Sequence, residues 1–192
     1  MSNTTATLAR SITKSSSLQT YLTTCFLVDK DLVDDCFRAY AYFRWVDDVV
    51  DISLQTKDER IAFIRRQKAL IESLYMNDQP EDLSPEEQII ADLINHDRGE
   101  SSGLQSFIRQ FIAIIEFDAY RKGHLISQQE LEWYQDCLGR SVTDGIQYFV
   151  GNRCSYPDNP YHYRAATAAH ITHMLRDMVQ DIEEGYLNIP CS

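Results

Sequence analysis

The stretch LVDDCFRAYAYFRWVDDVVD, Leu32 to Asp51, decides the fold. It contains neither Gly nor Pro and is dense in apolar and aromatic residues, so it reads as one long, largely buried helix. Near its end, Asp47 and Asp51 stand four residues apart. On a helix, residues at i and i+4 share a face, and the two carboxylates project together. Tyr40, Arg44, Asp47 and Asp51 line one stripe with Asp48 at its edge, while Phe43, Val46, Val49 and Val50 fill a broad apolar side. A bare carboxylate in apolar surroundings is costly unless a cation accompanies it.

A second stretch, HMLRDMVQDIEEG from His173 to Gly185, repeats the spacing with Asp177 and Asp181. On that helix Ile171, Leu175, Met178 and Ile182 form the expected apolar stripe, beside a polar one of His170, His173, Asp177, Asp181 and Glu184. Either acidic stripe alone would pass as the wet face of an amphipathic helix. Two of identical spacing, on separate helices, point to a shared task. Oxygen-only ligand sets suit Mg²⁺, which completes its octahedron with waters and substrate phosphates. The expectation is a diphosphate held by Mg²⁺ between two facing helices.

Between these stretches the chain punctuates itself into further helices. One is expected over Lys57–Tyr75, with Arg65, Arg66 and Lys68 on its solvated side. Turn chemistry occupies Asn77–Pro85, with Ser84 as N-cap and Pro85 at the first helical position. Helices then run over Glu86–Leu93 and Leu104–Arg121, separated by a break at His96–Gly103. Ser127 and Glu130 have capping-box spacing and open a helix reaching Val150. Gly151–Tyr161 is a loop with Pro157 and Pro160. The last helix covers Tyr163–Glu184 and stops at Gly185, with Pro190 beyond. No strand-like alternation or internal repeat occurs, so the fold class is all-α, a helix bundle in a single domain.

The chain of 192 residues has a net charge of −11. That balance excludes nucleic acid as a partner, since phosphate backbones require Lys and Arg clusters. It also makes a diphosphate substrate dependent on metal ions that invert the local sign. The five cysteines are scattered and unpaired as motifs, reading as reduced thiols of a cytoplasmic protein. No apolar run approaches membrane-spanning length. Residues 1–20 are rich in Ser and Thr and free of acids; they read as a frayed terminus leading into a first helix, with a transit peptide as the less favoured alternative.

YAYFRWVDDVVD and LRDMVQDIEEGYLNIP together resemble the two aspartate-rich motifs of the squalene and phytoene synthases, which condense two prenyl diphosphates head to head. YQDCLGRSV, Tyr134 to Val142, is similar to that family's Tyr-containing helix, and Ser17-Leu-Gln-Thr20-Tyr21 to its hydroxyl-rich diphosphate segment. The resemblance implies an isoprenoid-synthase-like helix bundle and a Mg²⁺-dependent transferase, with Mn²⁺ as a substitute metal. Its product would be squalene-like or phytoene-like, formed through a cyclopropyl intermediate in isoprenoid, carotenoid or triterpenoid biosynthesis. Asp47, Asp51, Asp177 and Asp181 would bind the metal, with Asp48 behind them. Arg44 and Arg176 would grip phosphate oxygens, a task suited to a guanidinium fork. Tyr40 and Tyr134 would sit near the reacting carbons, and Ser17, Thr20, His170 and His173 would contact substrate. The resemblance allows peripheral membrane contact for product release and leaves substrate length, use of NADPH and oligomeric state open.

Two departures stand out. His170 and His173 replace the family's usual Gln and Asn. Members of the family also continue with further helices, whereas this chain ends at Ser192, so the resemblance implies a domain without its closing C-terminal helices. Two other functions compete: a non-catalytic helical scaffold on the same fold, and a metal-binding helical module built on His170, His173, Asp177 and Asp181. Asp118 and Arg121 read as cavity residues or, at least as well, an ordinary i,i+3 surface pair. His96, His124 and His162 read as surface or loop residues, and Trp133, Tyr134, Tyr148 and Phe149 as core first.

Overall fold

The computed structural model describes residues 2–78, 80–97, 99, 102–151, 154, 159, 161–188 and 190. Among them are eight α-helices: α1 (Ser2–Ser16), α2 (Leu18–Leu27), α3 (Val33–Asp48), α4 (Lys57–Tyr75), α5 (Pro85–His96), α6 (Gly103–Arg121), α7 (Gln128–Val150) and α8 (Arg164–Glu184). The only β-pairing among the described residues is an isolated parallel bridge between Leu125 and Leu187, so the all-α expectation holds. No described helix is long and apolar enough to cross a membrane. Cys25, Cys36, Cys137 and Cys154 are free thiols. Pro157, Pro160 and Cys191 lie outside the described residues.

Local chemistry sets most boundaries where the sequence placed them. Thr56 caps α4 and Ser84 caps α5, each closing a reciprocal capping box with the Glu three residues on. Ser127 does the same for α7, its Oγ accepting from the Glu130 amide at 3.2 Å while Glu130 accepts from the Ser127 amide at 2.8 Å. Gly185 ends α8 in the left-handed region at φ 90, a conformation that a residue without Cβ adopts freely. α5 extends past the expected Leu93 to His96, whose Nδ1 lies 2.8 Å from Asp35.

The helices gather into two compact units. The first comprises Met1–Ser102 with Tyr148–Arg153, and the second Gly103–Gln147 with Cys154–Ser192. In the first unit α3 packs against α1, α2 and α5. Residues 2–20 are therefore not a frayed end. They form α1 and the start of α2, and Ala6, Ala9 and Thr13 of α1 are buried. These Ala and Thr residues supply small side chains for close helix contact.

The core of this unit is partly polar. Arg38, 2% exposed, donates to Asp35 at 2.6 Å and to Thr5 at 3.2 Å, and Thr5 donates to Asp92 at 2.6 Å. A second group joins α3, α4 and α5: Tyr42 donates to Gln67 at 2.9 Å, and Gln67 donates to Glu87 at 2.9 Å. Arg66 grips Glu87 through two bonds of 3.0 Å. Burial alone would raise the Glu87 carboxyl, but bonds from the Ser84 backbone, Gln67 and Arg66 outweigh it and hold the group below its ordinary value.

In the second unit α6, α7 and α8 approach closely where α7 carries glycine. A Cβ on Gly139 would stand 2.5 Å from Thr167 Oγ1 of α8, and one on Gly145 would stand 3.0 Å from the Phe107 ring of α6. The expected apolar stripe of α8 is not core: no described α8 residue is buried, and Leu175 is 67% and Ile182 48% exposed, with Val179 beside them at 68%. The helix is held by its polar and small residues instead.

Glu87→Ala should cost about 2–4 kcal/mol, because it orphans Gln67 and frees Arg66. With its folded value depressed, the Glu87 contribution is present above the ordinary carboxylate range and is lost as pH falls through the folded value; denaturant midpoints against pH should show that loss in the parent and not in Glu87→Ala. Gly139→Ala should cost about 1–3 kcal/mol by overpacking, and the Thr167→Ala double variant should recover most of it. Leu175→Lys should shift stability by no more than about 0.5 kcal/mol; a core-sized loss would show that α8 is covered in solution.

Candidate active site

The first acidic stripe lies where α3 changes its hydrogen bonding. From Val49 to Ser53 the chain forms a π-turn, closed by the Leu54 amide donating to the Val49 carbonyl at 3.1 Å. The expected single helix to Asp51 is therefore an α-helix to Asp48 followed by this wider turn. Asp47 sits on the α portion and Asp51 in the π portion, so the switch from i→i+4 to i→i+5 bonding resets the angle between the two carboxylates. Such single π-turns occur frequently at functional sites.

Burial along α3 separates two sides. Phe37, Ala41, Tyr42, Phe43, Val46 and Val50 are buried, whereas Tyr40, Asp47 and Asp48 are half-buried and Arg44 and Asp51 exposed. The stripe Tyr40–Arg44–Asp47–Asp51 therefore stays accessible, and the expectation that apolar surroundings desolvate these acids does not hold. The apolar residues lie on the opposite side, against Gln67, Phe63 and the other helices of the unit. Arg44 pairs with Asp48 one turn on, which raises the guanidinium's proton affinity further.

The second stripe lies on α8. Arg176 donates to both oxygens of Asp177, at 2.7 and 2.6 Å, and this bond holds the Asp177 carboxyl below its ordinary value. Asp181 accepts from the Asn188 amide at 2.8 Å. That partner was not anticipated from sequence. Asn188 is brought back by the Gly185 turn, by the Gly123 amide donating to the Gly185 carbonyl at 2.8 Å, and by the Leu125–Leu187 bridge.

His170 and His173 part company. His173 is exposed, while His170 is half-buried with its ring 5.4 Å from that of Tyr134 and its Nε2 buried without a hydrogen-bond partner. Burial, then the neighbouring His173 and Arg121 charges, lowers the His170 value and favours neutral imidazole. Among the described residues no three His, Cys, Asp or Glu side chains converge to hold a metal ion. Among the described residues His170, stacked on Tyr134, therefore does not join His173, Asp177 and Asp181 in such a group.

Tyr134 itself is the centre of a polar and aromatic cluster around the buried Arg121. Its hydroxyl donates to Asp118 at 3.1 Å, and Asp118 accepts from Arg121 Nε at 2.7 Å. Arg121 is 8% exposed and lies 5.3–5.4 Å from the ring centroids of Phe117, Tyr134 and Tyr186. Asp118 and Arg121 are thus not a surface pair. Their i,i+3 spacing was legible; the aromatic enclosure, which comes from α7 and the segment after α8, was not.

Ser17 and Thr20 have structural work in this fold. Ser17 is the N-cap of α2, its Oγ accepting from the Thr20 amide at 3.1 Å and bonding the Thr20 hydroxyl at 2.9 Å. His96 belongs to the Asp35 cluster and His162 packs against the Tyr163 ring, while His124 is exposed. Of the four aromatic residues read as core, Phe149 is buried, Tyr134 and Tyr148 are half-buried, and Trp133 is 41% exposed.

No curated protein matches the chain significantly. The family model for squalene/phytoene synthase matches residues 13–192, a span that contains both aspartate stripes, the Tyr134 cluster and the Gly185 turn. The chain belongs to the squalene/phytoene synthase family.

Proposed function

We propose that the chain is a prenyltransferase that joins two prenyl diphosphates head to head, giving a squalene-like or phytoene-like product. The observation that carries this reading is the family match running through both aspartate stripes. The donor set supports it: Asp47, Asp51, Asp177 and Asp181 are carboxylates on half-buried or exposed positions, with room for waters and phosphate oxygens to complete an octahedral shell. Asp47 with Asp51, and Asp177 with Asp181, would hold Mg²⁺, or Mn²⁺ in its place. Bound there, the metal supplies positive charge that stabilises a departing diphosphate.

The remaining roles fall to side chains of this chain. Arg44 and Arg176, each already pinned by one carboxylate within a helical turn, exchange that partner for phosphate oxygens, and Asp48 returns Arg44 to its place when diphosphate leaves. Tyr40, half-buried on the same stripe as Arg44 and Asp47, stands beside the prenyl chain. Neutral His170 offers its unpartnered Nε2, and His173 a solvated imidazole, to the substrate. The product is apolar, so release at a membrane surface suits it.

Asp47→Asn and Asp177→Asn should each lower turnover of farnesyl diphosphate about 10²-fold or more while leaving stability within about 0.5 kcal/mol, since both positions are accessible. Full activity of both variants would sink the metal-ligand assignment. In thermal-shift assays, Mg²⁺ with inorganic diphosphate should stabilise the chain more than the sum of each alone, because each completes the other's ligand set. Stabilisation by Zn²⁺ alone to the same extent would favour a His-centred site instead.

A further inference from the structure

We propose that Asp118 and Arg121 are positioning residues that fix the hydroxyl of Tyr134 as an acceptor facing the substrate. The proposal rests on the reading of Tyr134 as a substrate-contacting residue and extends it to two side chains with no assigned role. A phenol has one proton to donate and two lone pairs to accept with. Tyr134 spends its proton on Asp118 Oδ2 at 3.1 Å, so toward any other partner its oxygen can only accept. Asp118 is held in turn through its other oxygen, Oδ1, by Arg121 Nε and Nη2, both at 2.7 Å.

Arg121 is itself locked. Its side chain is enclosed by Phe117, Tyr134 and Tyr186, and a guanidinium so enclosed gains from the ring faces while losing water. The Tyr134 ring is further fixed by His170 at 5.4 Å and Phe117 at 5.9 Å. Rotation of the ring would break the bond to Asp118 and disturb both stacks at once. Burial, with the Asp118 charge next, raises the phenol well above its ordinary value. The oxygen therefore stays a neutral phenol and does not become a phenolate able to trap an electrophilic carbon.

The test uses the full chain with Tyr side chains labelled at Cζ, the Tyr134 resonance being assigned by its loss in Tyr134→Phe. In Asp118→Asn the Tyr134 midpoint should move to lower pH, because the carboxylate that opposed phenolate is gone; an unmoved midpoint overturns the proposal whether or not the protein turns over. Kinetics with Mg²⁺ and farnesyl diphosphate supply the second arm. Asp118→Asn and Tyr134→Phe should each lower kcat about tenfold or more with KM within about twofold, and the double variant should be no worse than Tyr134→Phe. Additive losses would show that Asp118 acts independently of Tyr134 and would refute the positioning role. If Asp118→Asn fails to fold, Arg121→Lys, which keeps the charge and loses the fork, should move the midpoint the other way, to higher pH, because the guanidinium that favours phenolate is weakened while Asp118 stays; an unmoved midpoint again overturns the proposal. A parent that makes no product from either farnesyl or geranylgeranyl diphosphate, with the midpoint shifted as expected, would remove the prenyltransferase reading and leave Asp118 as the residue that holds Tyr134.

Discussion

A buried arginine constrains the first unit more than any apolar contact does. Arg38 lies inside α3 at 2% exposure, and a guanidinium cannot leave water without partners on several sides. Asp35 supplies one from the same helix and Thr5 another from α1, while Thr5 hands its own proton to Asp92 of α5. Three helices are thereby fixed in register at one point, since sliding any of them would strand a charge or a hydroxyl. The apolar residues around it, such as Phe37, Ile89 and Leu93, fill volume that tolerates exchange; the polar set specifies which helix meets which. α3 leaves this anchored end and reaches Asp47 three turns later. The accessible stripe thus inherits its orientation from charges buried well away from it.

Helix boundaries were legible because they depend on residues a few places apart. Ser84–Glu87, Ser127–Glu130 and Gly185 act through local backbone geometry, and local geometry is what a sequence states directly. The acidic stripes were legible for the same reason, as i,i+4 spacing needs no knowledge of neighbours. What escaped depends on long-range partners. Nothing near Arg121 in sequence announces Tyr186 or Tyr134 as the walls of its enclosure, and nothing near Asp181 marks Asn188 apart from the turn that returns it. The π-turn at Val49–Ser53 escaped too, because β-branched residues there are compatible with either helix type.

The apolar stripe of α8 is an instructive failure of periodicity. Ile171, Leu175 and Ile182 recur as a core face should, yet they are exposed, and α8 is held through Gly139, Thr167, His170 and the cap at Gly185. Periodicity reports that a face is apolar, not what it meets. On α1 the error ran the other way. A stretch rich in Ser and Thr and free of acids was read as loose, although Ala6, Ala9 and Thr13 bury well where backbones come close.

The electrostatics of the two stripes show how a chain of net charge −11 can present acids without simply repelling an anion. Each stripe carries its own arginine, and each arginine is bonded to a carboxylate of that stripe: Arg44 to Asp48, Arg176 to Asp177. Exposed pairs of this kind contribute little to stability, typically below about 1 kcal/mol. Under the proposed function their worth lies in keeping a cationic fork extended and oriented at low cost. Because the pair is weak, a phosphate oxygen can displace the carboxylate readily; because it is already formed, the guanidinium need not be ordered anew when an anion arrives. The pair of Arg121 and half-buried Asp118 is the opposite case: the guanidinium is buried among aromatic rings, and it cannot exchange partners without leaving its charge against an apolar wall. The same two residue types thus form a pair that can exchange partners where water reaches them and a fixed strut where it does not.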